Sequence, residues 1–160
     1  MRVGLALSGG GARGIAHLGV LKALDEMGVK VSIISGVSSG AIAGVLYGYG
    51  YSPVEILQLI KELSVFHVVR PVFGKRGLLH MEEVEKLYIK YLGPKLKFED
   101  LNIPVVVSAT EMNEGVTAYF STGEVIKPLL ASSAVPILYQ PVLFNGKTLS
   151  DGGLLNNLPV

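Results

Sequence analysis

Apolar and polar residues follow two different rhythms along this chain, and the rhythm changes several times. Short, mostly apolar runs predict strands at RVGLALS (2–8), VKVSIIS (29–35) and IPVVVSAT (103–110). The last is a continuous apolar run with its proline at the edge, the pattern of a central strand in a parallel sheet. GVTAYFS (115–121) reads as its neighbour across the turn EMNEG.

Between these runs the period lengthens to that of a helix. His17, Val20, Leu21, Leu24 and Met27 form one stripe, with Lys22, Asp25 and Glu26 on the other side and Gly28 as the stop. A second helix is predicted from about Ser39 to Tyr47. SPVE (52–55) combines a serine cap, a first-turn proline and a glutamate three residues after the cap, and opens a third helix that reaches about Leu63.

FHVVRPVFGKRG (66–77) has no clean period and reads as an excursion. Helix returns from Met81 to Leu92, with Val84, Leu87, Tyr88 and Tyr91 on one face, and again from near Glu124 to just before Pro136. QPVLFNGKTLSD (140–151) holds an Asn-Gly pair suited to a tight hairpin. Strands alternating with helices point to one α/β domain over residues 1–160, layered around a mostly parallel sheet. The chain stops at NNLPV, inside what reads as ordered structure, so a fragment truncated at this end is one reading.

Composition narrows the picture. Of 160 residues 49% are hydrophobic and 17% charged, which suits a packed globule rather than a disordered segment. The net charge of +1 comes without a basic run or basic–aromatic interleaving, so no nucleic-acid partner is expected. Cysteine is absent, which removes disulfides and thiolate chemistry and fits a reducing, cytoplasmic setting. Residues 31–54 carry no charge, and Gly36, Gly40, Gly44 and Gly48 repeat the small-residue spacing of packed membrane helices. Four serines dilute that run and Pro53 ends it, so strand–turn–helix is the expectation.

Candidate chemistry sits in three places. GGGARG places Gly9, Gly11 and Gly14 at dinucleotide-loop spacing between a strand and a helix, but no acid lies between Lys30 and Glu55 to hold a ribose. What remains is a set of backbone N–H groups at a helix N-terminus, suited to a phosphate or to the oxyanion of acyl transfer. Gly36-Val37-Ser38-Ser39-Gly40 matches G-x-S-x-G in the strand–turn–helix setting that exposes a nucleophilic serine. There Ser38 is the nucleophile, and Ser39 offers its backbone N–H.

A base for Ser38 is harder to find. The three histidines, His17, His67 and His80, all precede residue 81, whereas hydrolases of this elbow type take theirs after the acid. His17 lies on an apolar stripe and reads as a hydrogen-bonded core residue; the other two bracket the excursion. Asp151, followed by Gly152 and Gly153, is either a plain Asp-Gly-Gly turn or, beside the elbow and the loop, a carboxylate base.

In order and spacing, LALSGGGARG, GVSSG, ASSAVPILYQPV and LSDGG resemble the patatin-like phospholipases along essentially the whole chain. The resemblance implies a three-layer α/β/α fold and a Ser–Asp dyad of Ser38 and Asp151. It also implies hydrolysis of lipid acyl esters without a metal or organic cofactor. It would place Gly9, Gly10, Gly11 and Arg13 in the oxyanion loop. An acyltransferase on the same dyad and a non-catalytic nucleotide- or lipid-binding module are the rival readings. Residues 64–80, which mix Phe66, Val68, Val69, Val72 and Phe73 with Arg70, Lys75 and Arg76, suit a lid or a peripheral membrane contact. Packing of the same apolar residues in the core is the alternative. Oligomeric state, head group and acyl length leave no mark in the sequence.

Overall fold

The computed structural model describes residues 2–68 and 81–160, and their side chains except those of 62–68. Among the described residues six strands form one sheet: β1 (Val3–Leu7), β2 (Val31–Val37), β3 (Val105–Glu111), β4 (Val116–Phe120), β5 (Val142–Phe144) and β6 (Lys147–Asp151). Accompanying them among the same residues are the helices α1 (Ile15–Glu26), α2 (Ser39–Tyr49), α3 (Pro53–Val68), α4 (Glu82–Leu92) and α5 (Ile126–Ser132).

The layered α/β architecture is present, and its sheet is mixed. β1, β2 and β3 run parallel, joined by helical crossovers. β4 and β6 run antiparallel to β3, and β5 antiparallel to β6. The physical reason is connection length. A four-residue turn or a two-residue hairpin can only reverse a chain, whereas a parallel return needs a crossover. The Asn-Gly pair makes its turn as expected, with Asn145 and Gly146 both at positive φ (50° and 74°).

Both crossovers advance the same way across the sheet, so right-handed connections put their helices on the same face. α2 and α5 pack directly on that face, with α1 and α3 against α2 and α4 against α5. Leu7, Ile34, Val105 and Val107 are buried beneath them with Leu21, Leu46, Ile56 and Leu129. On the opposite face Ile33 is 46% and Tyr119 56% exposed. The C-terminal residues cross that face: the Ser35 hydroxyl donates to the Pro159 carbonyl, and Asn156 to the Tyr119 hydroxyl at 3.0 Å.

Several expectations shift. The uncharged stretch 31–54 resolves into β2, α2 and the start of α3, and among the described residues no helix is long and apolar enough to cross a membrane. Packing of α1 against α2 and α3 buries Leu18 and Leu21, while Val20 and Met27 from the expected stripe are exposed. α3 runs on to Val68, past the predicted end at Leu63. The segment 64–80, expected as a lid or docking edge, is helical to Val68. The rest of that segment, with Phe73 and His80, lies outside the described residues.

Candidate active site

β3 organises the site. Ser108 pairs with β2 and with β4, so those two strands lie on opposite edges of β3. Ala109 to Glu111 pair with β4 and with β6, so β6 shares the edge that β2 occupies. β2 climbs that edge until Val37 faces Ser108; β6 descends it until Asp151 faces Ala109. Two strands therefore meet end to end along one edge, and the residues at the junction are Ser38 and Asp151.

Ser38 sits at φ 52°, ψ −125°, between the end of β2 and the start of α2. A non-glycine residue held there costs on the order of 1–3 kcal/mol, so its surroundings must hold it. The flanking glycines permit the turn by close approach. A Cβ on Gly36 would lie 2.8 Å from the Ala41 backbone, and one on Gly40 would lie 2.2 Å from the Leu7 carbonyl oxygen. From the far side, the buried Ser132 hydroxyl accepts the Ser38 N–H at 2.8 Å.

Asp151 is buried at 6% exposure. Its backbone N–H donates to the Ala134 carbonyl at 2.9 Å, and the Thr110 hydroxyl donates to its carbonyl at 2.9 Å. One carboxylate oxygen accepts the Gly153 N–H at 2.8 Å. Burial pushes this carboxyl above its ordinary value of 3.8, while the hydroxyl of Ser38 and the N–H of Gly153 pull the other way. Gly152 brings the turn onto the sheet: a Cβ there would be 2.7 Å from the Ser108 carbonyl oxygen.

The glycine loop faces the same junction. A Cβ on Gly9 would lie 3.3 Å from the Ser38 Cβ. Residues Gly11–Gly14 form a 3-10 turn before α1, so the N–H of Gly11 has no acceptor within that turn; neither does the N–H of Ser39 within α2. Gly10 lies immediately before the turn. Two expected members of the oxyanion loop look different here. The Gly9 N–H donates to the Asn157 carbonyl at 3.1 Å, and the Arg13 N–H to the Gly10 carbonyl at 3.0 Å. The Arg13 side chain is exposed and lines neither cavity described below. Both donors are spent on holding the loop in shape, whereas Gly10, Gly11 and Ser39 line the cavities described next.

Two cavities meet at Ser38. One, of about 370 Å³, is lined by Ser38, Ser39, Ile15, Ile42, Ile60, Met81, Val84, Tyr88, Leu138 and Tyr139, and is overwhelmingly apolar. The other, of about 280 Å³, is lined by Gly9, Gly10, Gly11, Asp151, Gly153 and Asn157 as well as Ser38. Gly11, Ser38 and Val135 border both. The Ser39 hydroxyl is the one buried side-chain oxygen without a partner among the described residues. A Cβ on Gly14 would press against it at 2.4 Å. His17 lines neither cavity; its Nε2 lies 2.8 Å from the Ser8 carbonyl oxygen. Among the described residues no group of three His, Asp or Glu side chains is arranged to hold a metal ion.

Ser132, Val135 and Asn157 belong to this neighbourhood, and residue-type reasoning passed over them. Their only signal in the sequence is position, inside ASSAVP and just beyond DGG.

The sequence model of one family, Patatin-like phospholipase, matches residues 5–160. An uncharacterised NTE-family protein of Mycobacterium tuberculosis is 35% identical over 99% of the chain, and lysophospholipase NTE1 of Saccharomyces cerevisiae is 33% identical over 99%. The chain spans 44% of the first of these relatives and 10% of the second. Among solved structures, VipD from Legionella pneumophila superposes over 100% of this chain and 47% of its own, with a TM-score of 0.73 at 17% identity. ExoU of Pseudomonas aeruginosa, solved in complex with SpcU, matches 85% of this chain and 39% of its own at a TM-score of 0.60 and 20% identity. The chain belongs to the patatin-like phospholipase family.

Proposed function

We propose that this protein is a serine acyl hydrolase that cleaves carboxylic esters of lipids. Ser38 Oγ attacks the ester carbonyl carbon while Asp151 takes the hydroxyl proton. The carbonyl oxygen becomes an oxyanion held by the N–H groups of Gly10, Gly11 and Ser39, where the loss of one donor typically costs about a hundred- to a thousandfold in rate. Collapse breaks the bond to the leaving alcohol, which receives the proton from Asp151. Water then attacks the acyl-enzyme, giving a proton to Asp151, and Ser38 recovers a proton as the fatty acid leaves.

The observation that carries this reading is the meeting of two unlike cavities at one strained serine beside a buried carboxylate. The apolar cavity takes the acyl chain; its volume falls within the roughly 300–1,000 Å³ usual for small-molecule sites. The cavity bearing Asp151 and Asn157 takes the alcohol portion. Yeast relatives that carry the name lysophospholipase support a lipid ester as the substrate class. A substrate of this kind resides at a membrane surface, so peripheral contact belongs to the same proposal.

Labelling by a fluorophosphonate probe tests it. The wild type is expected to label and to hydrolyse a fatty-acyl ester, and Ser38→Ala to do neither. Persistent labelling of Ser38→Ala would overturn the reading.

A further inference from the structure

Ser38 and Asp151 both stand where their strands run out of partners. The last ladder pair of β2 is Val37 with Ser108, so the Ser38 N–H must find its acceptor elsewhere. It finds the Ser132 hydroxyl, at 2.8 Å. The last ladder pair of β6 is Asp151 with Ala109, and the Asp151 N–H donates at 2.9 Å to the Ala134 carbonyl. The Ser150 hydroxyl donates to the same carbonyl at 2.7 Å. Two residues of α5 and its exit turn therefore hold the two residues of the site, one bond each.

That exit turn is itself well tied. The N–H groups of Ser133 and Ala134 donate to the carbonyls of Leu130 and Ala131, both at 3.1 Å, and Ser132 and Ala134 are fully buried. A short, buried, internally bonded turn acts as a spacer of fixed length. It is also the only described element whose hydrogen bonds reach both Ser38 and Asp151 from outside their own strands and turns, apart from the sheet partner β3.

We infer that Ser132 is a positioning residue for the nucleophile, and that the turn from Ser132 to Ala134 sets the separation between Ser38 and Asp151. The inference rests on reading Ser38 as the nucleophile and Asp151 as its base, and adds the element that aligns them. Ser132 touches no substrate. Its hydroxyl oxygen holds the backbone of Ser38 at a positive φ that the chain would otherwise relax, and so keeps Oγ pointed at the carboxylate.

The test compares Ser132→Ala, Ser132→Cys and Ser132→Thr with the wild type and Ser38→Ala. Fluorophosphonate labelling rate, kcat and KM on one fatty-acyl ester are scaled to the folded fraction from near-UV circular dichroism. Misplacing a reacting group by about 1 Å can cost on the order of a hundredfold. Ser132→Ala is therefore expected to lose about ten- to a hundredfold in kcat and labelling rate, with KM within about twofold. Ser132→Cys keeps the volume but offers a weak acceptor, so it falls with the alanine variant, whereas Ser132→Thr keeps the oxygen and recovers most of the rate. If Ser132→Ala does not fold, the cysteine and threonine pair decides. Wild-type kcat per folded molecule in Ser132→Ala or Ser132→Cys would overturn the positioning role alone. A wild type that neither labels nor turns over, or labelling that survives Ser38→Ala, would overturn the reading of Ser38 and the positioning role with it.

Discussion

The turn after β2 and the turn after β6 end at the same junction but are built on opposite principles. Ser38 is forced into a sparsely populated conformation, φ 52° and ψ −125°, and glycines on either side let the backbone fold tightly around it. Asp151 has ordinary dihedrals, φ −50° and ψ 127°, and a local turn in which its own carboxylate caps the Gly153 N–H. Strain marks one half of the site; the other half is relaxed and owes its place to the register of β6 on β3. A strained turn is written in adjacent residues. A register depends on a strand about 40 positions away finding its partner.

The largest test of this contrast falls on Asp151. Asp151→Asn keeps shape and hydrogen-bonding capacity but removes the proposed base, and ester turnover is expected to drop by at least about a thousandfold. Stability should move the other way. Because burial raises the folded-state value of this carboxyl, its stabilising contribution is complete below the ordinary 3.8 and is lost as pH rises through the raised value. At pH 7 the variant should therefore melt no lower than the wild type, and any advantage should shrink as pH falls towards that ordinary value. A folded Asp151→Asn protein with near-normal turnover would remove the base from the mechanism.

A smaller effect is expected at the elbow. Gly40→Ala would put a methyl group 2.2 Å from the Leu7 carbonyl oxygen, a backbone atom that cannot swing away. Overpacking of this kind costs about 1–3 kcal/mol, and a urea midpoint should register it together with reduced labelling of Ser38. An unchanged midpoint would mean the elbow has more room than its geometry indicates. Smallest of all should be Arg13→Ala. With its side chain exposed and outside both cavities, kcat/KM should stay within about twofold, the range of an ordinary surface change. A hundredfold loss would return the guanidinium to the oxyanion loop.

The two halves also differed in how readable they were. GVSSG between a strand run and a helical run announced Ser38, because a sharp turn needs small neighbours within two residues. The hairpin at Asn145-Gly146 was equally plain, and β4 was placed correctly as the neighbour of β3. The same short connections that make these turns visible also reverse β4 against β3 and β6 against β5, which is why the sheet is mixed. Periodicity could not reveal which part of the α1 stripe faces inward, since that depends on where α2 and α3 press.

What the sequence by itself determined was therefore local: a strained serine turn, a glycine loop at a helix start, an aspartate ahead of two glycines, and an order of motifs that named the family. Each follows from steric limits acting over a few residues. Only the tertiary structure decided that β2 and β6 meet on one edge of β3, that Gly9 and Arg13 spend their N–H groups inside the chain, and that Ser132 holds Ser38. Those outcomes depend on distant segments satisfying one another's hydrogen bonds and filling the same core, and no short window of sequence contains both partners.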